Sequence, residues 1–288
     1  MPAGMHDLEF EFTTRDFSRV RDMIYRRAGI ALGDQKQEMV YGRLSRRLRT
    51  LGFTRFSVYL DLLESQPGND EWVSFTNALT TNLTSFFREA HHFPILAEFL
   101  LTRQTPINIW CAGSSSGEET WSIVMTACEA FDSLNPPITV LASDIDTQVL
   151  KMAEQGIYPS ERVQKLPPER LRRFFLKGSG SQQGLVRIRP ALQQMVRFRA
   201  INLLSESWAD VGVFDVIFCR NVMIYFDKNT QSKILAHFAR VMKPQALLFA
   251  GHSENFLNTT SDFSLIGKTV YHLNGNRSSN AFAESGRS

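Results

Sequence analysis

Apolar positions recur with a helical period through the first third of the chain. FTTRDFSRVRDMIYRRAGI, QKQEMVYGRLSRRLRTLG, RFSVYLDLLES and EWVSFTNALT each read as amphipathic helices. Turn signals such as QPGND fall between them. From about residue 105 the period changes. INIWCA, ITVLASDI, VRFRAINLL, FDVIFCRNV, ALLFAGHS and TVYHL are apolar runs of strand length, and GEETWSIVMTACEAF and NTQSKILAHFARVM among them are helical. This alternation predicts an α/β domain, a parallel sheet covered by helices. About 45 residues between ITVLASDID and VRFRAINLL break the pattern. They hold TQVLKMAEQGIY, PPERLRRFF and KGSGSQQGLVRIRP, a Gly/Ser-rich turn running into a short alternating strand, and predict a small antiparallel appendage. The expected organisation is a helical domain over 1–100, an α/β domain over 101–275 with the appendage inserted at about 155–195, and a mobile tail over 276–288.

Composition narrows the class. With 288 residues, 43% hydrophobic and 21% charged, the chain matches a globular protein and excludes a disordered or fibrous one. No apolar run reaches the roughly 18 residues of a membrane helix. The acidic start MPAGMHDLEFEF carries no secretion signal, so a soluble, cytoplasmic protein is expected. The three cysteines, Cys111, Cys128 and Cys219, contain no C-x-x-C pair and are expected as buried free thiols. The six histidines lack the spacing of a metal motif, and no metal is expected.

Charge is concentrated. Residues 15–55 carry eleven Lys/Arg against four acids, or +7, while the whole chain sums to +3. In QKQEMVYGRLSRRLRTLG, Val40, Leu44, Leu48 and Leu51 form one stripe. Arg43, Arg46 and Arg49 fall opposite it, each displaced by about 60° from the last. That face is either solvated or a docking surface for an acidic partner. Nucleic acid is one such partner, although the interleaved aromatics of single-strand binders are missing, and an acidic protein helix fits equally well.

The chemistry-bearing pattern is strand, loop, helix, strand, acid. Gly113 and Asp144 lie 31 positions apart, one βαβ unit. Gly113 suits a tight turn, Gly117 suits close approach of the backbone to a ligand, and Asp144 can take both hydroxyls of a ribose. The loop AGSSSGEE lacks G-x-G-x-x-G, and its carboxylates Glu118 and Glu119 would repel a pyrophosphate and attract an ammonium. S-adenosylmethionine fits better than NAD. Further on, FDVIFCRNVMIYF delivers Arg220 and Asn221 to the end of a central strand. Asn135-Pro136-Pro137 stands before the second strand, where an amine-gripping N-P-P motif would not act, and this weakens a nucleic-acid methylation reading. A cofactor-sensing module without turnover remains a third reading.

Six segments in order, TTNLTSFFRE, AGSSSGEETWS, SDID, INLL, CRNVMIYFDK and AGHSENF, resemble the chemotaxis-receptor glutamate O-methyltransferases, the CheR family. The resemblance runs through nearly the whole chain. GEETWS stands where GEEPYS is common, and Thr120 and Trp121 are expected to face the helix interior or sheet. The resemblance implies a Rossmann-like S-adenosylmethionine-dependent sheet with an all-helical N-terminal domain and a small antiparallel β-subdomain. It implies methyl transfer to receptor glutamates, leaving S-adenosylhomocysteine. Asn82, Thr84 and Arg88 resemble the cofactor clamp, Glu119 the ammonium ligand and Asp144 the ribose ligand. Asn202 and Leu203 resemble the adenine contacts. Arg220 and Asn221 resemble the residues beside the sulfonium, with Tyr225 near the transfer point. Arg88 and Tyr225 are the candidates to orient the incoming carboxylate. Arg43, Arg46 and Arg49 would dock receptor helices, and LVRIR, with Arg187 and Arg189, would take a receptor tail as an added strand. The implied partner is a methyl-accepting chemotaxis receptor, met by a cytoplasmic monomer recruited to receptor arrays, with no nucleic acid and no membrane insertion.

Overall fold

A computed structural model describes residues 9–274 apart from 207, 209 and 258; the expected tail lies outside the described residues. The first four helices are α1 (Thr14–Ala28), α2 (Gln37–Leu51), α3 (Phe56–Ser65) and α4 (Glu71–Leu79). Local chemistry sets their ends. Thr13 and Asp16 close a reciprocal capping box at the start of α1, and Gly29, at φ 69°, ends it in the left-handed region. The apolar stripes meet in one core, where Val20, Ile24, Val40, Leu44, Leu48, Phe56, Leu60 and Phe75 are buried. Arg47, beside the apolar stripe of α2, pairs with Glu71, whose carboxylate also accepts from Tyr59 Oη.

A linker without regular structure leads to α5 (His92–Leu101) and into the sheet domain. There follow β1 (Ile107–Ala112), α6 (Glu118–Ala130), β2 (Ile138–Asp144) and α7 (Thr147–Gln155). The appendage comprises β3 (Ile157–Pro159), α8 (Pro168–Phe174), β4 (Phe175–Lys177), β5 (Leu185–Ile188) and α9 (Pro190–Gln193). Then come β6 (Val196–Ala200), β7 (Phe214–Cys219), α10 (Lys228–Arg240), β8 (Met242–Ala250), β9 (Phe263–Gly267) and β10 (Val270–Leu273). The main sheet runs β6-β2-β1-β7-β8-β10-β9. It is parallel from β6 to β8, and β10 and β9 close it antiparallel.

Both faces of the sheet are covered, which is why its strands read as nearly unbroken apolar runs. Ile109, Cys111, Val216, Phe218 and Phe249 face α5, α6 and the appendage. Trp110, Ile217, Leu248 and Ala250 face α10 through Ile234, Leu235 and Phe238. Thr120 and Trp121 are fully buried, Trp121 donating to the Ala153 carbonyl.

Three features differ from the sequence reading. FSLIG forms β9, a strand whose mixed pattern at a sheet edge gave little signal. VRFRAINLL is strand only to Ala200, so Asn202 and Leu203 lie in the turn beyond β6. β5 is the central strand of the appendage, paired on one side with β3 and on the other with β4. LVRIR therefore has no free edge, and any added strand would have to lie against β3 or β4.

Candidate functional site

The order of strands reverses between β1 and β7, and the carboxyl ends of β1, β2 and β7 open there onto a cavity. Asn82, Thr84, Arg88, Glu119, Asp144, Asn202, Leu203, Arg220, Asn221 and Tyr225 all line it. The sequence reading missed the opposite wall. Ala28 at the end of α1, Ile30 and Leu32 in the connection after it, and Met39 at the start of α2 roof the cavity. The one signal was the apolar stretch GIAL between two amphipathic helices, a length of chain with no helix face of its own.

Asp144 ends β2 with a carboxylate that is nearly buried and held by backbone. Oδ2 accepts from Ser115 N at 2.8 Å and Oδ1 from Asp146 N at 2.9 Å. Burial pushes its pKa up to about 6, against the pull of those N–H groups. Gly113, at φ 83°, makes the turn out of β1; a Cβ there would meet Val222 Cγ2 at 2.2 Å. Gly117 does a different job from the one expected. Its bare Cα meets Ala153 and Tyr158 rather than the cavity, so it permits packing on α7 and the appendage. Asn82 donates to Asp146 Oδ2 at 2.7 Å, which Thr80 Oγ1 also reaches, and its carbonyl accepts from Ser115 Oγ. The linker is thereby fixed to the ends of both strands.

The charged centre is built around Arg220, whose side chain is fully buried. Arg220 donates to Glu119 Oε2 at 2.8 Å and to the Arg88 carbonyl at 2.5 Å, and lies 3.3 Å from Glu89 Oε2. Burial raises the Glu119 pKa, with Arg220 opposing. For the less buried Glu89, burial also works upward, but Arg220 and the His252 N–H outweigh it and the carboxyl sits low. Glu118 does not share this site; it pairs with Arg162 at 2.8 Å and accepts from Ser116 Oγ, tying the appendage to α6. The Arg88 guanidinium donates to the Leu83 carbonyl at 3.1 Å. Thr84 and Tyr225 line the cavity, and the Tyr225 carbonyl accepts from Ala31 N at 2.9 Å. The Asn202 amide donates to the Arg27 carbonyl of α1 at 2.8 Å.

Glu89, His91 and His92 bring ligand-type atoms within 4.8 Å of one another. The Arg220 guanidinium lies 3.3 Å from the Glu89 carboxylate, so a cation there would meet like charge. Burial lowers the His92 pKa to about 4, and its Nε2 lies 3.1 Å from the Lys268 carbonyl, the contact of a neutral ring that donates.

Residues 82–272 match the family described as CheR methyltransferase, SAM binding domain, and residues 15–80 match CheR methyltransferase, all-alpha domain. The chain belongs to the CheR methyltransferase family. It is 55% identical over 257 residues to the chemotaxis protein methyltransferase of Klebsiella aerogenes, covering 89% of each chain. It is 49% identical over 279 residues to that of Escherichia coli K12, covering 95% of this chain and 98% of the relative. The Salmonella typhimurium relative is 50% identical over 279 residues, covering 95% and 97%. The chain is thus an S-adenosylmethionine-dependent methyltransferase.

The cavity of this CheR methyltransferase fits that cofactor. Glu119 and Asp144 offer two buried carboxylates, suited to an ammonium and to a pair of hydroxyls, and Ile145, Ile201 and Leu203 offer apolar surface for a flat ring. The arginines set apart for docking are less uniform than their spacing suggested. Arg43 bends back to the linker, donating to the Ala78 carbonyl at 3.4 Å and the Thr80 carbonyl at 2.5 Å. Arg49 pairs with Glu9 at 2.8 Å on the surface. Arg46 is exposed, and among the described residues no ion pair engages it. Arg187 is exposed on β5, and Arg189 donates to the Arg172 carbonyl at 3.0 Å.

Proposed function

We propose that this chain methylates glutamate side chains of chemotaxis receptors, using S-adenosylmethionine and forming methyl esters that adjust receptor signalling. The observation that carries this reading is the convergence of Asn82, Glu119, Asp144, Arg220, Asn221 and Tyr225 on one cavity at the sheet's switch point, in a CheR-family chain. The cofactor supplies an electrophilic methyl group on a cationic sulfur. Glu119 holds the ammonium and Asp144 the ribose hydroxyls. Leu203 and the backbone of Asn202 flank the adenine, since the Asn202 amide is taken by α1. A glutamate carboxylate, with a pKa of about 4.3, is already anionic at neutral pH. No general base is required. Arg88 and Tyr225 orient that carboxylate toward the methyl carbon. Positioning of this kind can supply about 7–11 kcal/mol. The apolar roof of the helical domain excludes water while a cation and an anion become neutral products.

The partner is the cytoplasmic helical region of a receptor, met in the cytoplasm by a monomer. No helix of the described residues is long and apolar enough to cross a membrane. Arg46 is the best-placed cation on α2 for acidic receptor helices. Incubation with labelled cofactor and receptor-bearing membranes tests the reading. A base-labile label on the receptor is expected. A base-stable label, or label on nucleic acid, overturns it, and cofactor binding without transfer would leave a sensing module instead.

A further inference from the structure

The segment from Arg220 to Tyr225 has to leave β7 and line the cavity, yet its first half has no regular structure and its second half is a single short 3-10 turn, Met223–Tyr225. Asn221 sits in the left-handed region at φ 58°. What fixes it comes from the neighbouring strand. Beyond β8, Gly251 and Glu254 form a closed turn: Glu254 N donates to the Gly251 carbonyl at 2.9 Å, and Gly251 N donates back to Glu254 Oε2 at 2.5 Å. The same Oε2 accepts from Asn221 N at 2.9 Å, and Oε1 accepts from Ile224 N at 3.3 Å. Glu254 is 4% exposed and no cation pairs with it among the described residues.

We propose that Glu254 is a positioning residue for methyl transfer, its buried carboxylate clamping the backbone at Asn221 and Ile224 so that Arg220, Asn221 and Tyr225 keep their places around the reacting atoms. Gly251 is part of the device. A Cβ there would lie 2.5 Å from Asn221 Nδ2, 2.7 Å from Asn221 N and 2.9 Å from Glu254 Oε2, so only glycine lets the carboxylate pass. The clamp needs an anion with two accepting oxygens. A glutamine would set its NH₂ either against the Ile224 N–H or against the N–H groups of Gly251 and Asn221; no flip satisfies all three. Glu254 does not line the cavity, so it acts through the loop and not on the substrate.

This inference rests on the reading that the 220–225 loop borders the transfer point. The test compares Glu254→Gln and Gly251→Ala with the unaltered protein in receptor methylation, with cofactor affinity measured separately by calorimetry. Misplacing groups by about 1 Å can cost on the order of 100-fold. Glu254→Gln is expected to lower kcat by at least about ten-fold while the cofactor Kd moves by less than about three-fold. Gly251→Ala, which keeps the carboxylate but intrudes on it, should reproduce that split. Leu63→Ala, in the core of the helical domain, serves as a control for lost stability and should leave kcat unchanged at temperatures where it is folded. Wild-type kcat in both folded variants overturns the proposal. So does a parallel fall in kcat and cofactor affinity in Gly251→Ala, or a kcat loss equalled by Leu63→Ala, since either would mark a purely structural role. If unaltered protein yields no base-labile ester, the parent reading has failed instead.

Discussion

Asp144 and Tyr225 make different demands on the residue scale. Asp144 is ordinary in charge but unusual in place. Folding raises its pKa from 3.8 to about 6, so between those values the folded chain keeps a proton that the unfolded chain has released. Its contribution therefore makes stability fall as pH rises through that window, and the loss is complete above about 6. On the proposed role of Asp144 as ribose ligand, cofactor binding has the opposite sign, because the ionised carboxylate is the form that would accept two hydroxyls. Cofactor affinity is expected to fall, by up to about ten-fold per pH unit, as pH drops below the Asp144 pKa. Calorimetry across that range checks this, and Asp144→Asn should weaken binding by roughly 10- to 100-fold and flatten the profile. Tyr225→Phe keeps the ring and removes the hydroxyl. It should lower kcat by about ten-fold and leave cofactor affinity nearly unchanged; unaltered turnover would remove Tyr225 from the orienting role.

At the scale of elements, the arginine stripe of α2 divides, Arg43 being held by the carbonyls at 78 and 80 while Arg46 stays exposed. Arg46→Glu is expected to raise the KM for receptor and reduce its salt dependence, with cofactor affinity intact. Arg43→Glu should do something else. Arg43 holds the carbonyls at 78 and 80, just before Asn82, so its reversal should loosen the linker and weaken cofactor binding. Parallel measurement of both constants separates the two; equal effects would mean the stripe is a uniform docking face. The appendage makes a similar point about edges. Arg187 sits on a central strand, so a receptor-tail peptide, if it binds, must lie against β3 or β4, which amide exchange at Ile157 or Lys177, whose N–H groups face away from β5, would reveal as protection.

On the scale of the whole molecule, the helical domain is a wall of the site. It is tied down near the cavity by Tyr25 Oη donating to Asp227 Oδ2 at 2.5 Å, by Asn202 donating to the Arg27 carbonyl, and by Ala31 N donating to the Tyr225 carbonyl. Gly29 packs so closely that a Cβ would meet Leu204 Cδ1 at 2.9 Å. This contact is the expected gate for cofactor entry and product exit. Tyr25→Phe removes one tie without disturbing the Asp227 cap on α10. It should speed release of S-adenosylhomocysteine in stopped-flow measurement, and an unchanged off-rate would show that the roof does not gate exit.

Most elements, their order and the strand-end residues Gly113, Glu119, Asp144, Arg220 and Asn221 were legible from short-range pattern; Asn82, Thr84, Arg88, Asn202, Leu203 and Tyr225 came only from the family resemblance, and the wall from Ala28 to Met39 and the edge strand β9 were not read. Period, caps, the turn at Gly113 and the acid ending β2 lie within a few residues of what they control. The partners of those residues were not legible. Glu118 and Glu119 are neighbours of the same type, but one turns to Arg162 and the other to Arg220, 101 positions away. Likewise Arg43 and Arg46 share a helix face and differ only in whether the linker comes within reach. Packing decided these outcomes, since it alone sets which distant group arrives beside a given side chain and how much water is left around it.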